Sequence, residues 1–249
     1  MTLIEFFAQY PSVVIAFSGG IDSAFLLYEA KQFARDVSAI YIKTGFQPAF
    51  ELRDACEFCK LYDISLKVIE YDIYNHAEIL ANPADRCYYC KRAIFETLCK
   101  AAESFVHDAI LDGTNADDDE SDRPGMRALK ELGVLSPLRM CGMTKAMIRE
   151  AAKNAGISLW NKPSYACLAT RIPHGEYITK EIIETTETVE KYLMDMGFRN
   201  IRVRRIGNTA KIQIPASDFS SFIEHRKNIF DVLKNYYQSV TLDLRARDE

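Results

Sequence analysis

The chain has 249 residues, enough for a nucleotide-binding domain and a smaller second domain. Hydrophobic residues make up 48% of it and charged residues 27%, a globular composition that excludes disordered and fibrous proteins. A net charge of −4 gives no general attraction to nucleic acid. No leader pattern or membrane-length apolar run is present, so we expect a cytoplasmic protein without membrane contact. Seven cysteines in such a chain favour reduced thiols.

The first predicted strand, residues 13–17, leads into a glycine turn and a helix. Gly19 and Gly20 allow the backbone to approach a phosphate closely, and the first amides of the helix favour its charge. Ser18 and Ser23 add hydroxyl donors, and Asp22 is placed to hold Mg²⁺ beside a polyphosphate. The Walker order and its lysine are missing, which argues against a Walker-type kinase or GTPase. The alternative is a tight turn without a ligand.

Short strand-like runs alternate with helical segments through the first half of the chain. Further strands are predicted at residues 37–42, 66–71 and 108–112, with helices at 22–33, 50–62 and 91–106. This order predicts an α/β fold, a doubly wound parallel sheet whose ligands bind at the carboxyl ends of the strands. Gly113 and Asn115 belong to the polar loop 112–119 at such an end, so we predict that they bind the nucleotide too. A solvated acidic turn is the alternative interpretation of this loop.

The pattern changes after a predicted helix at 144–154 and the proline-rich loop 163–175. Beyond it we predict a helix at 179–196, strands at 200–206 and 209–214, a helix at 216–236 and a strand at 239–245. This order is typical of a small α+β domain with an antiparallel pair. We therefore predict two domains, 1–168 for the nucleotide and 169–249 for substrate binding or oligomerisation.

The cysteines form two Cys-x-x-Cys pairs and one isolated residue. Cys56 with Cys59 and Cys87 with Cys90 could supply four thiolates to zinc or an iron–sulfur cluster, but buried thiols explain the first pair more simply. Cys167 lies in a loop next to a guanidinium, which is typical of a nucleophile. An inert apolar residue is the alternative.

Arginines crowd the first strand of the predicted tail. Arg202 and Arg204 share one face of it, and two adjacent guanidiniums repel each other unless an anion lies between them. The pattern suits a phosphate or carboxylate ligand, although a solvated surface strand would also show it.

Four strings of residues together resemble the LarE family of the PP-loop ATP pyrophosphatase superfamily, which has an adenine nucleotide alpha hydrolase-like fold. These strings are 18–23, 86–91, 113–115 with the following aspartates, and 163–173. The resemblance covers nearly the whole chain. It implies an ATP-dependent sulfur transferase of nickel-pincer nucleotide cofactor biosynthesis, with ATP and Mg²⁺ as requirements, a small-molecule nucleotide as substrate, and assembly into a homo-oligomer.

The reaction implied by the resemblance adenylates the carboxylate of a pyridinium mononucleotide and releases pyrophosphate. Cys167 then attacks the acyl adenylate and gives up its own sulfur, leaving dehydroalanine in the protein. A second class of the family uses three cysteines and an iron–sulfur cluster, but Cys167 stands alone in its loop, which favours the sacrificial class.

The resemblance also assigns roles to residues around the cysteine. Thr170 and Arg171 match a family Ser or Thr followed by Arg, which implies that they bind the substrate. Arg202 and Arg204 match arginines that bind the substrate phosphate. Glu190 matches a family acidic residue, with Glu187 as the alternative match, and gives a second metal ligand besides Asp22. Gln213 departs from the family, since a glutamate is expected there, and an amide binds a divalent cation more weakly.

Three other functions remain open from the sequence. A tRNA-thiolating PP-loop enzyme is disfavoured by the net charge and by the lack of an extended basic surface. An amide-forming PP-loop synthetase would need no essential cysteine. A nucleotide-binding module without catalysis would not need Asp22 and Cys167.

Overall fold

The computed structural model describes residues 1–118 and 124–247 and divides them into two compact units. The first comprises residues 1–73 and 85–164, and the second 74–84 and 165 onward. The strands are β1 Ser12–Ala16, β2 Asp36–Lys43, β3 Leu66–Glu70, β4 Ala109–Leu111, β5 Arg202–Ile206, β6 Thr209–Gln213 and β7 Ser239–Leu242. The α-helices are α1 Leu3–Gln9, α2 Ile21–Phe33, α3 Ala49–Leu61, α4 Ala77–Leu80, α5 Arg86–Ala102, α6 Pro124–Glu131, α7 Pro137–Met140, α8 Lys145–Asn154, α9 Lys180–Asp195, α10 Phe219–Glu224 and α11 Arg226–Leu233. Short 3₁₀ helices occur at Ile73–Asn75, Ser158–Asn161, Leu168–Arg171 and Ala216–Asp218.

The first unit is built on a parallel four-stranded sheet in the order β3-β2-β1-β4. Alternate residues of β1 face opposite sides, as the strand period requires. Val13 and Ile15 pack with the helices of one face, while Val14 packs with Leu98 and Ala102 of α5 on the other. The predicted doubly wound α/β fold is confirmed.

The second unit contains a three-stranded sheet in the order β5-β6-β7. β5 and β6 are antiparallel, and β7 lies parallel to β6. Leu193 of α9, Val203 of β5, Ile212 of β6 and Leu233 of α11 share its buried core. The predicted smaller α+β unit is also confirmed. Residues 74–84 belong to this unit as well, although they come much earlier in the chain.

Several boundaries differ from the predictions. The helix predicted from residue 91 starts at Arg86, because Tyr88 joins Phe95, Leu98 and Ala102 in one buried stripe. The helix predicted at 216–236 is interrupted at His225 and forms α10 and α11. α1 was not predicted, although Thr2 and Glu5 form a capping box at its start. No helix in the described part of the chain combines the length and apolarity needed to cross a membrane.

Candidate active site

The glycine turn joins β1 to α2 in the first unit. Gly19 adopts a φ of 77°, and a Cβ there would lie 2.8 Å from the Glu51 carbonyl oxygen, so only glycine fits without strain. Gly20 caps α2 without a side-chain hydrogen bond. The first amides of any helix lack partners from a preceding turn, and the helix dipole makes this end positive. The turn therefore has the geometry of an anion cradle.

Two serine side chains form hydrogen bonds within this turn. The Ser23 hydroxyl donates to the Gly20 carbonyl at 3.1 Å and accepts from the Ser18 amide at 3.3 Å. The two hydroxyl oxygens lie 3.0 Å apart. Ser23 is almost fully buried, so its hydroxyl fixes the shape of the loop.

The end of β4 approaches the first turn of α2. A Cβ on Gly113 would lie 2.7 Å from the Ser23 amide nitrogen, so this approach depends on glycine. Asp112, just before it, accepts hydrogen bonds from the hydroxyls of Thr114 at 2.5 Å and Ser136 at 2.6 Å. The adjacent strand ends β1 and β4 thus meet at one cleft, as expected for a parallel sheet.

The cleft has a volume of about 230 Å³. Among the predicted nucleotide-binding residues, its walls include Ser18, Gly20, Asp22, Ser23 and Gly113. Its walls also include Asp112, Thr114 and Asp118 of the predicted polar loop, and three residues that the sequence did not single out: Ala16, Lys91 and Phe95. A larger cavity of about 390 Å³ beside α6 and α7 is lined by none of the predicted site residues.

Gly19 and Asn115 do not line this cleft in the structure. Gly19 packs against Glu51 and Ala55 of α3 instead. The buried Asn115 side chain accepts a hydrogen bond from the Asp117 amide at 2.9 Å, which closes the loop on itself. Asp119, the last residue of the predicted polar loop, lies outside the described residues.

Asp22 projects from the first turn of α2 and forms an ion pair with Lys145 of α8. Lys145 Nζ lies 2.5 Å from Asp22 Oδ2. The other oxygen, Oδ1, is buried and has no hydrogen-bond partner within the described part of the chain. A buried carboxylate oxygen without a donor suits a hard cation, so this residue fits the predicted Mg²⁺ role.

Cys167 lies half-buried in the loop of the second unit, at the start of a 3₁₀ turn. Its carbonyl accepts hydrogen bonds from the Thr170 amide at 3.0 Å and the Thr170 hydroxyl at 2.8 Å. Arg171 Nη1 donates to the carbonyls of Ala166 at 2.8 Å and Cys167 at 3.3 Å. The backbone that carries the thiol is therefore fixed by its two predicted neighbours.

Arg171 is fully buried and forms a two-pronged ion pair with Glu190 of α9. Nε lies 2.8 Å from Glu190 Oε1, and Nη2 lies 2.9 Å from Oε2. Burial by itself would lower the pKa of Arg171, but the bonded carboxylate outweighs burial and raises it. Arg171 thus stays cationic, and it donates hydrogen bonds both to the cysteine loop and to Glu190.

Glu190 receives two further donors. The Val203 amide donates to Oε1 at 2.7 Å, and the Tyr165 hydroxyl donates to Oε2. These four bonds occupy the acceptor positions of a carboxylate that is 1% exposed. The sequence predicts Glu190 as a metal ligand, but this arrangement leaves no acceptor position for a metal.

Arg202 and Arg204 differ in environment although they belong to one strand. Arg202 is buried, and its guanidinium carbon lies 4.8 Å from the Tyr165 ring centre. Burial, with the nearby cations Arg171 and Arg247, lowers the pKa of Arg202 to about 10. Arg204 is exposed and donates to the Thr170 carbonyl at 3.2 Å.

Tyr165 is a site residue that the sequence analysis missed. Arg171 lies 4.6 Å from the centre of its ring and Arg202 lies 4.8 Å from it, so one ring contacts two guanidiniums. Burial, followed by the Glu190 charge, raises the pKa of Tyr165, which keeps its hydroxyl a donor. Only its position near Cys167 in the sequence could have drawn attention to it.

Comparisons with known proteins find a family model and several relatives that this chain resembles. The family model described as queuosine biosynthesis protein QueC matches residues 12–83. An uncharacterized protein of Synechocystis is 32% identical, covering 98% of this chain and 92% of the relative. The pyridinium-3,5-bisthiocarboxylic acid mononucleotide synthase of Lactiplantibacillus plantarum, LarE, is 29% identical over 98% of this chain and 89% of its own. A tRNA-specific 2-thiouridylase of Clostridium botulinum is 26% identical, and the match covers 68% of this chain and 57% of the relative.

The chain belongs to the LarE family of PP-loop proteins.

Within this LarE-family chain, Gln213 bridges two charged side chains, and Lys211 pairs with one of them. Its amide oxygen accepts from Arg204 Nε at 2.7 Å, and its amide nitrogen donates to Asp243 Oδ2 at 2.7 Å. Lys211 Nζ lies 2.8 Å from the same Asp243 oxygen. Hydrogen bonds from Lys211 and Gln213 lower the pKa of Asp243 to about 2. An amide suits this position because it accepts from a cation and donates to an anion at once.

All seven cysteines are thiols in the structure. Burial raises the pKa of Cys59 to about 12, and burial also raises the pKa values of Cys99 and Cys141. Among the residues described, no group of three His, Cys, Asp or Glu side chains converges as a metal site.

Proposed function

We propose that this chain is an ATP-dependent sulfur transferase that converts a carboxylate of a pyridinium mononucleotide to a thiocarboxylate, in nickel-pincer nucleotide cofactor biosynthesis. One observation carries the proposal: a chain with an anion cradle of the PP-loop type also holds a loop cysteine whose own carbonyl is fixed by a buried arginine. The likeness to the synthase of Lactiplantibacillus plantarum over nearly the whole chain supports it.

The cradle of the first unit would bind ATP through the amides at the start of α2. The substrate carboxylate attacks the α-phosphorus, and the bond to the β-phosphate oxygen breaks, which gives an acyl adenylate and pyrophosphate. Asp22 Oδ1, which has no hydrogen-bond partner among the described residues, would hold Mg²⁺, and the ion would neutralise charge on the phosphates. The Ser18 and Ser23 hydroxyls keep the loop in the shape that this binding needs.

Cys167 would supply the sulfur. Its thiolate attacks the acyl carbon and expels AMP, forming a thioester. A base then removes the Cys167 α-proton, and the Cβ–S bond breaks with its electron pair on sulfur. The products are the thiocarboxylate and a dehydroalanine in the protein, so each chain acts once.

The arginines would have two roles, phosphate binding and positioning of the cysteine. Arg204 is exposed, and Arg202, although buried, carries a positive charge at neutral pH; these two would bind the substrate phosphate. Arg171 and Thr170 would act by holding the Cys167 backbone, since Arg171 Nη1 and the Thr170 hydroxyl donate to the Cys167 carbonyl.

The first prediction concerns the mass of the protein. After incubation with ATP, Mg²⁺ and the carboxylated pyridinium nucleotide, intact mass spectrometry should show a loss equal to H₂S, and peptide mapping should place it at Cys167. Cys167→Ala should abolish both this loss and the thiocarboxylate product. Cys56→Ala, which removes an exposed thiol, is the control and should behave as the wild type.

Two outcomes would contradict the proposal. One is a constant mass over several turnovers together with iron in anaerobically purified protein, which would favour the cluster-dependent class. The other is full activity of the Cys167→Ala variant. Thiolation of tRNA but not of the nucleotide would instead assign the chain to the activity for which its Clostridium botulinum relative is named.

A further inference from the structure

Lys162 lies beneath the glycine turn in the first unit. Its ammonium donates to the Gly19 carbonyl at 3.1 Å and lies 2.8 Å from Asp54 Oδ2 of α3. Its side chain is only 14% exposed, and its Nζ is 5.6 Å from the centre of the Phe50 ring. The lysine therefore ties the glycine turn to α3.

The position of Lys162 is itself fixed. Arg149 of α8 donates to the carbonyl of Trp160 at 2.7 Å and to that of Lys162 at 2.9 Å. Because the backbone at this point is held and the ammonium is paired with Asp54, the lysine offers a donor at a defined place.

The bond to Gly19 determines where the next amide points. The Gly19 carbonyl and the Gly20 amide belong to one planar peptide, and in a trans peptide they point in opposite directions. With the carbonyl turned to Lys162, the Gly20 amide points away from it, toward the Ser18 hydroxyl oxygen 3.4 Å away. Both Gly20 and Ser18 line the cleft.

An anchor is needed here because two consecutive glycines flank this peptide. Glycine adopts positive and negative φ with similar ease, so a flip of the Gly19–Gly20 peptide meets little steric resistance. A flipped peptide would present a carbonyl oxygen to the cleft, and that oxygen would repel a phosphate.

We propose that Lys162 is a positioning residue of the phosphate cradle, and that its ammonium selects the orientation of the Gly19–Gly20 peptide in which the amide faces the phosphates of ATP. The inference rests on the proposed function in one respect, that the cleft binds ATP. It assigns Lys162 no contact with the substrate.

The test is calorimetric titration of the full-length chain with ATP and, separately, with adenosine. Lys162→Met should weaken ATP binding about tenfold, the size expected for loss of a charged hydrogen bond, and leave adenosine binding unchanged. Adenosine is the informative probe because it has no phosphates for the cradle to hold. Lys31→Met is the matched control, since Lys31 Nζ donates to the Asp63 carbonyl at 2.6 Å and Lys31 does not line the cleft; it should bind both ligands as the wild type does.

Lys162→Met leaves Asp54 without its Lys162 partner, and the unpaired charge could itself destabilise the fold. A second variant controls for this effect. Asp54→Asn combined with Lys162→Met removes both charges and should show the same selective loss of ATP affinity. The inference is overturned if either variant binds ATP as tightly as the wild type, or if ATP and adenosine binding fall equally. If the wild-type chain bound no ATP, the proposed function would fail together with this inference.

Discussion

Glu190 is the residue on which the buried polar network of the second unit depends. A carboxylate in a buried position is costly unless donors surround it, and here Arg171, Tyr165 and Val203 together provide four. The family resemblance points to an acidic side chain at this place but not to its partners. Its contacts make it a support for Arg171, and through Arg171 for the Cys167 backbone.

We expect Glu190→Gln to destabilise the protein strongly. The amide nitrogen would face donors instead of accepting from them, and Arg171 would lose its counter-charge, so the loss should be about 3 to 5 kcal/mol of unfolding free energy. Urea denaturation measures this loss. Glu184→Gln on the same helix is the control, because Glu184 is exposed and pairs only loosely with Lys180 at 3.8 Å.

The opposite result would restore the metal assignment. If Glu190→Gln were as stable as Glu184→Gln but bound Mn²⁺ more weakly than the wild type, Glu190 would act as a metal ligand and the hydrogen bonds around it would be secondary.

The elements that form the cleft meet through glycine. β4 ends at Leu111, and Gly113 then passes so close to the first turn of α2 that a methyl group would lie 2.7 Å from the Ser23 amide nitrogen. Relief of this contact would move Gly113 away from the first turn of α2, and both Gly113 and that turn line the cleft.

Gly113→Ala should therefore cost about 1 to 3 kcal/mol of unfolding free energy through overpacking and should also weaken ATP binding. Thermal unfolding and ATP titration of one preparation report the two effects. Gly142→Ala is the matched control: Gly142 has a φ of 68° and open space around it, so the substitution costs backbone strain without touching the cleft. Equal ATP affinity in both variants would show that the close approach of Gly113 does not matter for binding.

At the level of elements, the sequence predicted the strands of the parallel sheet well, but it predicted helix starts and helix interruptions poorly. The strand runs are short, apolar and bounded by turn residues, so local pattern alone locates them. The interruption at His225 has no proline or glycine to mark it, and the early start of α5 depends on Tyr88 finding a buried partner surface. Those boundaries follow from packing, which a local pattern does not contain.

Over the whole molecule, the chain enters the second unit twice. Residues 74–84 join it before the main part begins at Tyr165. Asn82 connects this early segment to the later part of the unit, because its side-chain amide nitrogen donates to the Pro173 carbonyl at 2.7 Å. The residue is fully buried and has a φ of 53°. Its own carbonyl accepts from the Gly175 amide at 2.9 Å.

Asn82→Ala should lower the unfolding free energy by about 1 to 3 kcal/mol, since it removes the side-chain hydrogen bond to the Pro173 carbonyl and places alanine in the left-handed region. Asn82→Gly is the comparison, because glycine accepts that backbone conformation and isolates the loss of the side-chain bonds. Urea denaturation followed by circular dichroism is the measurement. Unchanged stability in Asn82→Ala would mean that the early segment is not needed to hold the second unit together.

The sequence by itself determined the local features of this protein: the strand that leads into Gly19 and Gly20, the alternation that makes a parallel sheet, and the loop that carries Cys167. These depend on residues close together in the chain, whose spacing and turn chemistry can be read directly. Only the tertiary structure decided that Glu190 accepts hydrogen bonds from four donors and that residues 74–84 join the second unit. It also decided that Asp22 pairs with Lys145 while its other oxygen has no partner in the part of the chain that the structure describes. The physical reason is that a buried polar atom takes whichever donor folding brings to it, and that donor comes from a distant part of the chain.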